Sequence, residues 1–191
     1  MHRMNSLTKP RIGALAASVF TIGFAACGTP PTAESLVSQG LQAQLAGDES
    51  TAENTYQQAL KLDPNNAVAH YDLGTVYDRQ GIREQAVSQY TAALVIEPTF
   101  TDALFNLAVD TATSDAGSAQ NLYLRVLTLQ PSFAAAWLNL GFILQGEGKV
   151  AEAKADWAKA VALDGSLASH VPSPAPSTSS GEGNASPTPK A

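Results

Sequence analysis

Few residues in this sequence could carry chemistry, and the histidines are the first candidates. A transition-metal site needs several Cys, His or carboxylate ligands at short spacing. His70 and His170 lie a hundred residues apart, and neither has a cysteine or a second histidine nearby. We therefore expect no metal site, and we expect His70 to be a half-buried packing residue.

The segment GEGK at residues 146–149 contains the Gly-Lys pair of a phosphate-binding loop. Such a loop also needs a Gly five residues before that Gly-Lys pair and a Ser or Thr directly after it. Ile143 and Val150 occupy those two positions. No serine stands in the G-x-S-x-G setting of a nucleophile elbow, and the acidic residues are interpreted as solvated surface. The sequence predicts no cofactor and no catalysis.

The single cysteine, Cys27, follows an apolar segment near the N-terminus. Residues 1–11 carry three basic residues and no acid, and an apolar run extends from Ile12 to Ala26. This arrangement is typical of a secretory signal, and the run is shorter than the ~20 residues that a membrane-spanning helix needs. Ala25, Ala26 and Cys27 resemble the end of a bacterial lipoprotein signal, although Phe24 replaces the usual Leu. An ordinary signal cleaved near Ala26, with an incidental cysteine, is the alternative.

The lipoprotein resemblance implies a cleaved signal over residues 1–26, a lipidated Cys27 and a short linker over residues 27–32. Acyl chains contribute ~0.8 kcal/mol per buried methylene, so several of them would hold the protein on a membrane. Gly28, rather than Asp, follows the cysteine, which favours the outer membrane by analogy with lipoprotein sorting. We therefore expect a protein of the bacterial cell envelope that is lipid-anchored and faces the periplasm or the exterior.

Charge argues against nucleic acid as a partner. The expected signal contains three of the eleven Lys and Arg residues and no acid, so the remaining chain has eight basic against seventeen acidic residues, a net charge of −9. Binding to phosphate backbones requires clustered Lys and Arg, and this composition does not supply them.

A repeat occupies most of the chain. Asp63-Pro64, Glu97-Pro98, Gln130-Pro131 and Asp164-Gly165 follow one another at intervals of 34, 33 and 34 residues. Such a period marks stacked supersecondary units, and each interval holds two apolar stretches of helical spacing. A proline ends a helix. The sequence therefore predicts an all-α solenoid in which each unit is a helix, a tight turn and a second helix.

The repeated residues resemble the tetratricopeptide repeat, whose pattern is W-x2-L-G-x2-Y, then A, an aromatic and A, then P. The second copy carries Leu73, Gly74, Tyr77, Ala86, Tyr90, Ala93 and Pro98, and the fourth carries Trp137, Leu140, Gly141, Leu144, Ala153, Trp157 and Ala160. His70 and Gly165 depart from the pattern, and the third copy lacks one residue in its turn. The resemblance implies a right-handed solenoid of four repeats over residues 33–168, namely 33–66, 67–100, 101–133 and 134–168.

The C-terminal residues 169–191 are rich in Pro and Ser, which predicts a disordered tail. Solenoids normally end in a capping helix with a polar outer face, whereas only SLASHV separates Gly165 from the first proline of the tail. A second copy of the chain is therefore a candidate partner for the last helix pair, and a homo-oligomer is one possible state.

In tetratricopeptide arrays the first helix of each pair lines a concave channel. The resemblance implies that this channel is lined by Val37, Leu41, Tyr71, Thr75, Phe105, Asn106, Val109, Leu138, Asn139 and Phe142. Apolar surface gathered on one face usually marks an interaction site, and family members hold peptide backbones with asparagines at this position. Two alternatives stay open: these residues pack between repeats, or the asparagines support local packing only.

The predicted function is a membrane-anchored scaffold that binds a protein or peptide segment for an envelope, secretion or pilus assembly. The family members that bind chaperone tails grip a carboxylate with Lys and Arg, but Arg79 is the only basic residue in the first helices, so we expect no such clamp. The alternatives are a carrier of a lipid or small hydrophobic ligand and a self-associating structural protein. An enclosed cavity would favour the carrier.

Overall fold

The structure is a computed structural model that describes residues 30–172. The expected signal peptide, Cys27 and residues 173–191 of the expected tail lie outside the described residues. Eight α-helices follow in order, and we number them α1 to α8: Ala33–Leu45, Glu49–Leu62, Ala67–Arg79, Arg83–Ile96, Thr101–Thr111, Ala116–Leu129, Ala134–Gly146 and Val150–Leu163. A 3-10 helix, Gly165–His170, ends the array. The described residues contain no strand, and the all-α solenoid is confirmed.

The helices form four pairs, α1–α2, α3–α4, α5–α6 and α7–α8, and each pair packs on the next. The first helices of the pairs begin at residues 33, 67, 101 and 134, which are the starts of the predicted repeats. Buried side chains run through the whole array, so that one end is built around Leu36 and the other around Trp157. Burial of these apolar side chains is the main favourable contribution to the stacking of the repeats.

Three of the four tight turns inside the pairs are made by glycine. Gly81 has a φ of 76°, and Gly47 and Gly148 have nearly the same value, a left-handed conformation that favours glycine. The sequence predicted that the third repeat lacks a residue in its turn, but the turn after α5 spans residues 112–115, four residues against three in the other pairs. There the amide of Asp115 donates to the carbonyl of Thr111 at 2.8 Å. The shortening lies in the helix instead, since α5 has 11 residues against 13 in the other first helices.

Within each pair, a small residue of the first helix faces a buried aromatic ring of the second. A Cβ built on Gly74 would lie 2.7 Å from Cε1 of Tyr90, and one on Gly40 would lie 2.6 Å from Cε1 of Tyr56. Gly141 faces the ring of Trp157 in the same way. The two helices of each of these pairs therefore approach closely at the glycine. The third repeat differs, because Ala108 stands at the equivalent position.

The chain continues to pack after the last α-helix. Asp164 caps the 3-10 helix, since its Oδ1 accepts from the amide of Ser166 at 2.9 Å. Leu167 and Val171 pack against the last part of the core. The expected boundary of the tail at residue 169 falls inside this 3-10 helix. None of the helices described between residues 30 and 172 has the length and apolarity needed to cross a bilayer.

The glycine contacts generate a stability prediction. Gly74→Ala should destabilise the protein by about 1–2 kcal/mol, because overpacking against the buried Tyr90 ring outweighs the ~1 kcal/mol gain in helix propensity. Gly146→Ala, the same substitution in a helix with open space around the new Cβ, should be neutral or stabilising. Urea denaturation of both variants checks this, and a Gly74→Ala variant at least as stable as the wild type would contradict the predicted overpacking.

Candidate binding groove

The first helices α1, α3, α5 and α7 form the face that we call the groove, and the ten predicted lining residues differ in exposure on it. Leu41, Val109 and Phe142 are exposed, with 44%, 43% and 40% of their surface accessible. Val37, Tyr71, Thr75, Phe105, Asn106 and Asn139 are half-buried. Leu138 is buried at 8% exposure, so little of its side chain is available to a ligand. Fewer residues are therefore accessible to a ligand than the ten that the sequence predicted.

The half-buried aromatic residues of the groove pack between repeats. The ring centroid of Tyr71 lies 4.8 Å from that of Phe100, and Phe105 lies 4.8 Å from Phe133. Phe100 and Phe133 are the residues directly before α5 and α7. Each ring pair therefore joins one repeat to the start of the next, which is the first alternative that the sequence left open. Substituting Tyr71 or Phe105 would disturb stacking as well as any binding.

The two asparagines of the groove hold buried tyrosine hydroxyls. Asn139 Nδ2 donates to the hydroxyl of Tyr123 at 3.1 Å, and Asn106 Nδ2 makes the longer equivalent contact with Tyr90 at 3.4 Å. An amide has two N–H donors and an acceptor oxygen, so each asparagine uses one donor in this way. Local support is thus an observed role of both residues.

Gln44 performs the same task in the first repeat, and sequence reasoning missed it. The hydroxyl of Tyr56 donates to Gln44 Oε1 at 2.9 Å, and Gln44 Nε2 donates to Thr75 Oγ1 at 2.8 Å. Thr75, predicted as a lining residue, therefore links α1 to α3. The signal that could have identified Gln44 is its position, one helical turn after Gly40 on the face that meets the second helix.

An open cleft of about 560 Å³ lies between α5, the start of α6 and α7. Its lining residues are Val109, Ala112, Thr113, Ala116, Tyr123, Asn139, Phe142, Ile143, Gly146 and Glu147. Three of the predicted residues, Val109, Asn139 and Phe142, meet there, and the other seven do not. Sequence reasoning missed Ala112 and Ala116, whose small side chains leave space beside the turn that follows α5. The cleft is mainly apolar.

A buried carboxylate lies next to this cleft. Asp110 is only 4% exposed, its Oδ1 lies 3.8 Å from Nε of Arg83, and its Oδ2 has no hydrogen-bond partner. Burial, helped by the negative charge of Asp78, raises the pKa of Asp110 to about 6 against the opposing charge of Arg83. The interpretation of all acidic residues as solvated surface is therefore wrong for Asp110. Its burial comes from stacking, because α5 packs on α4.

Other carboxylates make the α3–α5 part of the groove acidic. Burial raises the pKa of Asp72 to about 6. Burial also raises the pKa of Tyr71, and the charges of Asp102 and Asp72 add to this effect. The one basic residue of the first helices, Arg79, is 3.0 Å from Glu49 of α2. The groove therefore combines an acidic part on α3 and α5 with an uncharged part on α7, and it has no clamp for a carboxylate.

His70 has the packing role that the sequence predicted. Its ring is half-buried, with Nδ1 2.7 Å from Gln89 Oε1 and Nε2 3.1 Å from the carbonyl oxygen of Pro64. Trp137 stands at the same repeat position, and its Nε1 donates to the carbonyl of Pro131 at 2.9 Å. Within residues 30–172, no three His, Cys, Asp or Glu side chains lie close enough to hold a metal ion.

The buried carboxylate predicts a pH dependence of stability. The pKa of Asp110 is about 6 in the folded chain and ~3.9 in an unfolded one, so the folded state binds the proton more tightly and stability falls as pH rises from about 4 to about 6. Asp110→Asn should therefore be more stable than the wild type at about pH 7.5, by on the order of 1 kcal/mol, and no more stable at about pH 4.

Urea denaturation at both pH values measures this difference, and Asp115→Asn is the matched control. Hydrogen bonds from Ser118 lower the pKa of Asp115, so its replacement should give no gain at high pH. An Asp110→Asn variant that gains nothing between the two pH values would contradict the raised pKa.

Comparisons with known proteins agree with this fold. Residues 47–81 match a family model described as TPR repeat, and residues 134–166 match one described as Tetratricopeptide repeat. The crystal structure of MamA superposes with a TM-score of 0.65 at 22% identity, covering 72% of this chain and 81% of MamA. The first TPR of Spaghetti (RPAP3) bound to HSP90 peptide SRMEEVD gives a TM-score of 0.58 at 24% identity, covering 61% of this chain and 94% of that one.

Curated relatives match over shorter stretches. The probable UDP-N-acetylglucosamine--peptide N-acetylglucosaminyltransferase SPINDLY of Solanum lycopersicum is 33% identical over 76 residues, which are 40% of this chain and 8% of that protein. The photosystem I assembly protein Ycf3 of Rippkaea orientalis is 34% identical over 73 residues, 37% of this chain and 42% of Ycf3. This chain thus spans less than half the length of either relative. The matched repeat models and the shared fold show that the chain contains tetratricopeptide repeats.

Proposed function

We propose that this protein is a lipid-anchored scaffold of the bacterial cell envelope that binds a segment of another protein in its groove. The observation that carries the proposal is the open, mainly apolar cleft beside the exposed Val109 and Phe142. Proteins with tetratricopeptide repeats are generally scaffolds for protein–protein interaction, and an apolar groove suits an extended or helical segment with large side chains. The assembly served would be an envelope, secretion or pilus machine.

Binding in this groove would be passive and weak. The accessible part of the groove is small, so the interface falls at the low end, at roughly 1,200 Å² or less. Anchoring at Cys27 would compensate by raising the local concentration of scaffold and partner at the membrane. The structure changes little in such a mechanism, because the side chains that position the cleft, Asn139 and Tyr123, are already hydrogen-bonded.

The comparisons help to choose the kind of partner. The peptide bound by Spaghetti, SRMEEVD, has three acidic residues and one basic residue. The acidic α3–α5 part of this groove would repel such a segment. The match to SPINDLY covers only 8% of that protein, so the match gives no reason to expect its activity here. We propose that this protein is not an enzyme. The open shape of the cleft favours a protein segment over an enclosed lipid, so the carrier is the weaker hypothesis.

Photo-crosslinking in cells tests groove binding. Replacing Phe142 by p-benzoylphenylalanine places a reactive aromatic group in the cleft, and this substitution should give covalent adducts with a partner protein. The same group at Val95, on α4 and 78% exposed, is the matched control and should give none. Val109→Ser should reduce the Phe142 adduct by about fivefold, because it removes roughly 1 kcal/mol of apolar contact.

The adducts are separated by mass on denaturing gels and identified by mass spectrometry. Adducts from Val95 alone would show that the partner binds to the second helices, which would contradict the proposal. An adduct with lipid alone at Phe142 would favour the carrier instead. An adduct between two copies of this chain would favour the self-associating structural protein.

Lipid anchoring is tested by a single substitution. Cys27→Ser should move the protein from the membrane fraction to the soluble fraction and abolish incorporation of labelled palmitate, because the thiol is the point at which the lipid is attached. Cleavage of a plain signal near Ala26 instead predicts that Cys27→Ser changes neither fractionation nor labelling. Recovery of the wild-type protein in the soluble fraction would contradict the anchor directly.

A further inference from the structure

We propose that the groove selects a segment with two features: a large apolar side chain in the cleft between α5 and α7, and a Lys or Arg side chain that pairs with Asp110. The proposal rests on the proposed function, since it names the chemistry of the segment that the groove would bind. It treats the apolar cleft and the acidic neighbour as two halves of one site.

Two clefts share a wall at this place. The second cleft, of about 410 Å³, is lined by Arg83, Glu84, Val87, Asp110, Thr111, Thr113 and Ser114. Thr113 also lines the apolar cleft, and Val109 and Asp110 are consecutive residues of α5. A single bound segment can therefore reach both clefts, because they meet at the turn that follows α5.

Asp110 lacks the partners that a buried carboxylate needs. A carboxylate has about four acceptor sites, yet Oδ2 has no hydrogen-bond donor near it and Oδ1 has only the 3.8 Å contact with Arg83. The side chain of Asp78 is also a neighbour, but a hydrogen bond between the two carboxyl groups needs a proton and raises the pKa of Asp110. Arg83 is 60% exposed, so solvent weakens this pair. Leaving a buried acceptor unpaired is unfavourable. A cation supplied by a ligand in the second cleft, which Asp110 lines, would recover part of that cost.

The surrounding charges favour a cation. Asp78 on α3 contributes negative charge at Asp110, and Glu84 lies in the same cleft. Arg79 is engaged with Glu49 at 3.0 Å, so among the described residues of α3, α4 and α5 the opposing charge near this cleft is that of Arg83. Charge complementarity of this kind sets specificity by repelling wrong partners. An acidic segment would be repelled by the negative charges of Asp110, Asp78 and Glu84.

The spacing of the two features follows from helix packing. Neighbouring helices lie ~8–10 Å apart, and an extended chain advances ~3.3 Å per residue. Side chains on one face of an extended chain alternate with a period of two, so the side chains that occupy adjoining clefts should be two residues apart in the bound segment, about 7 Å. Synthetic peptides with this spacing can therefore be used to test the site.

The test uses the full chain and three labelled octapeptides with blocked ends. In the first, a lysine stands two residues before a phenylalanine among serines and glycines. The second has serine in place of the lysine, and the third has glutamate there. Fluorescence anisotropy measures their binding to the wild type, to Asp110→Asn, and to Glu97→Gln. The last variant removes one negative charge at Glu97, the residue directly after α4. It therefore changes the net charge by the same amount as Asp110→Asn but leaves the second cleft unchanged.

The lysine peptide should bind the wild type about tenfold more tightly than the serine peptide, and the glutamate peptide should bind more weakly than either. Asp110→Asn should abolish the difference between the lysine and serine peptides, while Glu97→Gln should preserve it. The same difference should shrink on the wild type as pH falls below about 6 and Asp110 becomes protonated. This pH profile does not depend on the folding of Asp110→Asn. Because the pKa of Asp72 is also raised to about 6, Asp72→Asn should leave the profile unchanged.

Three results would overturn the proposal. If Asp110→Asn preferred the lysine peptide as strongly as the wild type does, Asp110 would not be the partner of the lysine. If the glutamate peptide bound more tightly than the lysine peptide, the site would prefer an anion. No binding of any peptide up to about 1 mM, a limit of ~4 kcal/mol, would also reject it. Adducts from Phe142 in the crosslinking experiment would then show that the groove still binds protein, so that only the cation preference fails.

Discussion

The contact between a small residue of each first helix and an aromatic ring of its partner helix sets the geometry of the whole array. Gly40 and Gly74 leave room for the buried rings of Tyr56 and Tyr90, so the two helices approach closely and the ring spans the gap. The tyrosine hydroxyl then lies at the surface of the first helix, where it must be hydrogen-bonded. A polar side chain such as Asn139 meets that need at Tyr123. One packing constraint therefore determines both the helix spacing and much of the polar lining of the groove.

The third repeat relaxes this constraint, and the candidate site lies beside it. Ala108 replaces the glycine, α5 has 11 residues instead of 13, and the turn that follows has four residues instead of three. Small side chains at Ala112 and Ala116 border the apolar cleft that results. The ring contact between repeats is kept in the third repeat, since Phe105 packs on Phe133 as Tyr71 packs on Phe100. The departure from the regular repeat is therefore confined to α5 and the turn that follows it, where the apolar cleft lies.

The buried carboxylate has an energetic cost in the free protein. Asp110 is held at 4% exposure with one distant cationic partner, and ionising it opposes folding above about pH 6. Under the cation-binding proposal, this stability cost is retained because the carboxylate contributes to recognition. The acidic lining also distinguishes this groove from one that holds an acidic peptide, although the helices of both share one fold. Fold alone therefore does not determine the partner.

The sequence by itself determined the all-α repeat fold, the starts of the four repeats and the packing role of His70. These follow from local signals, since the period, the helix-ending prolines and the glycine turns act within one repeat. The sequence could name Asn106, Asn139, Tyr71 and Phe105 as groove residues, but it could not assign their contacts, because these join different helices. Only the tertiary structure placed Val109 and Phe142 in one cleft, buried Leu138 and enclosed Asp110, since exposure depends on how one repeat stacks on the next.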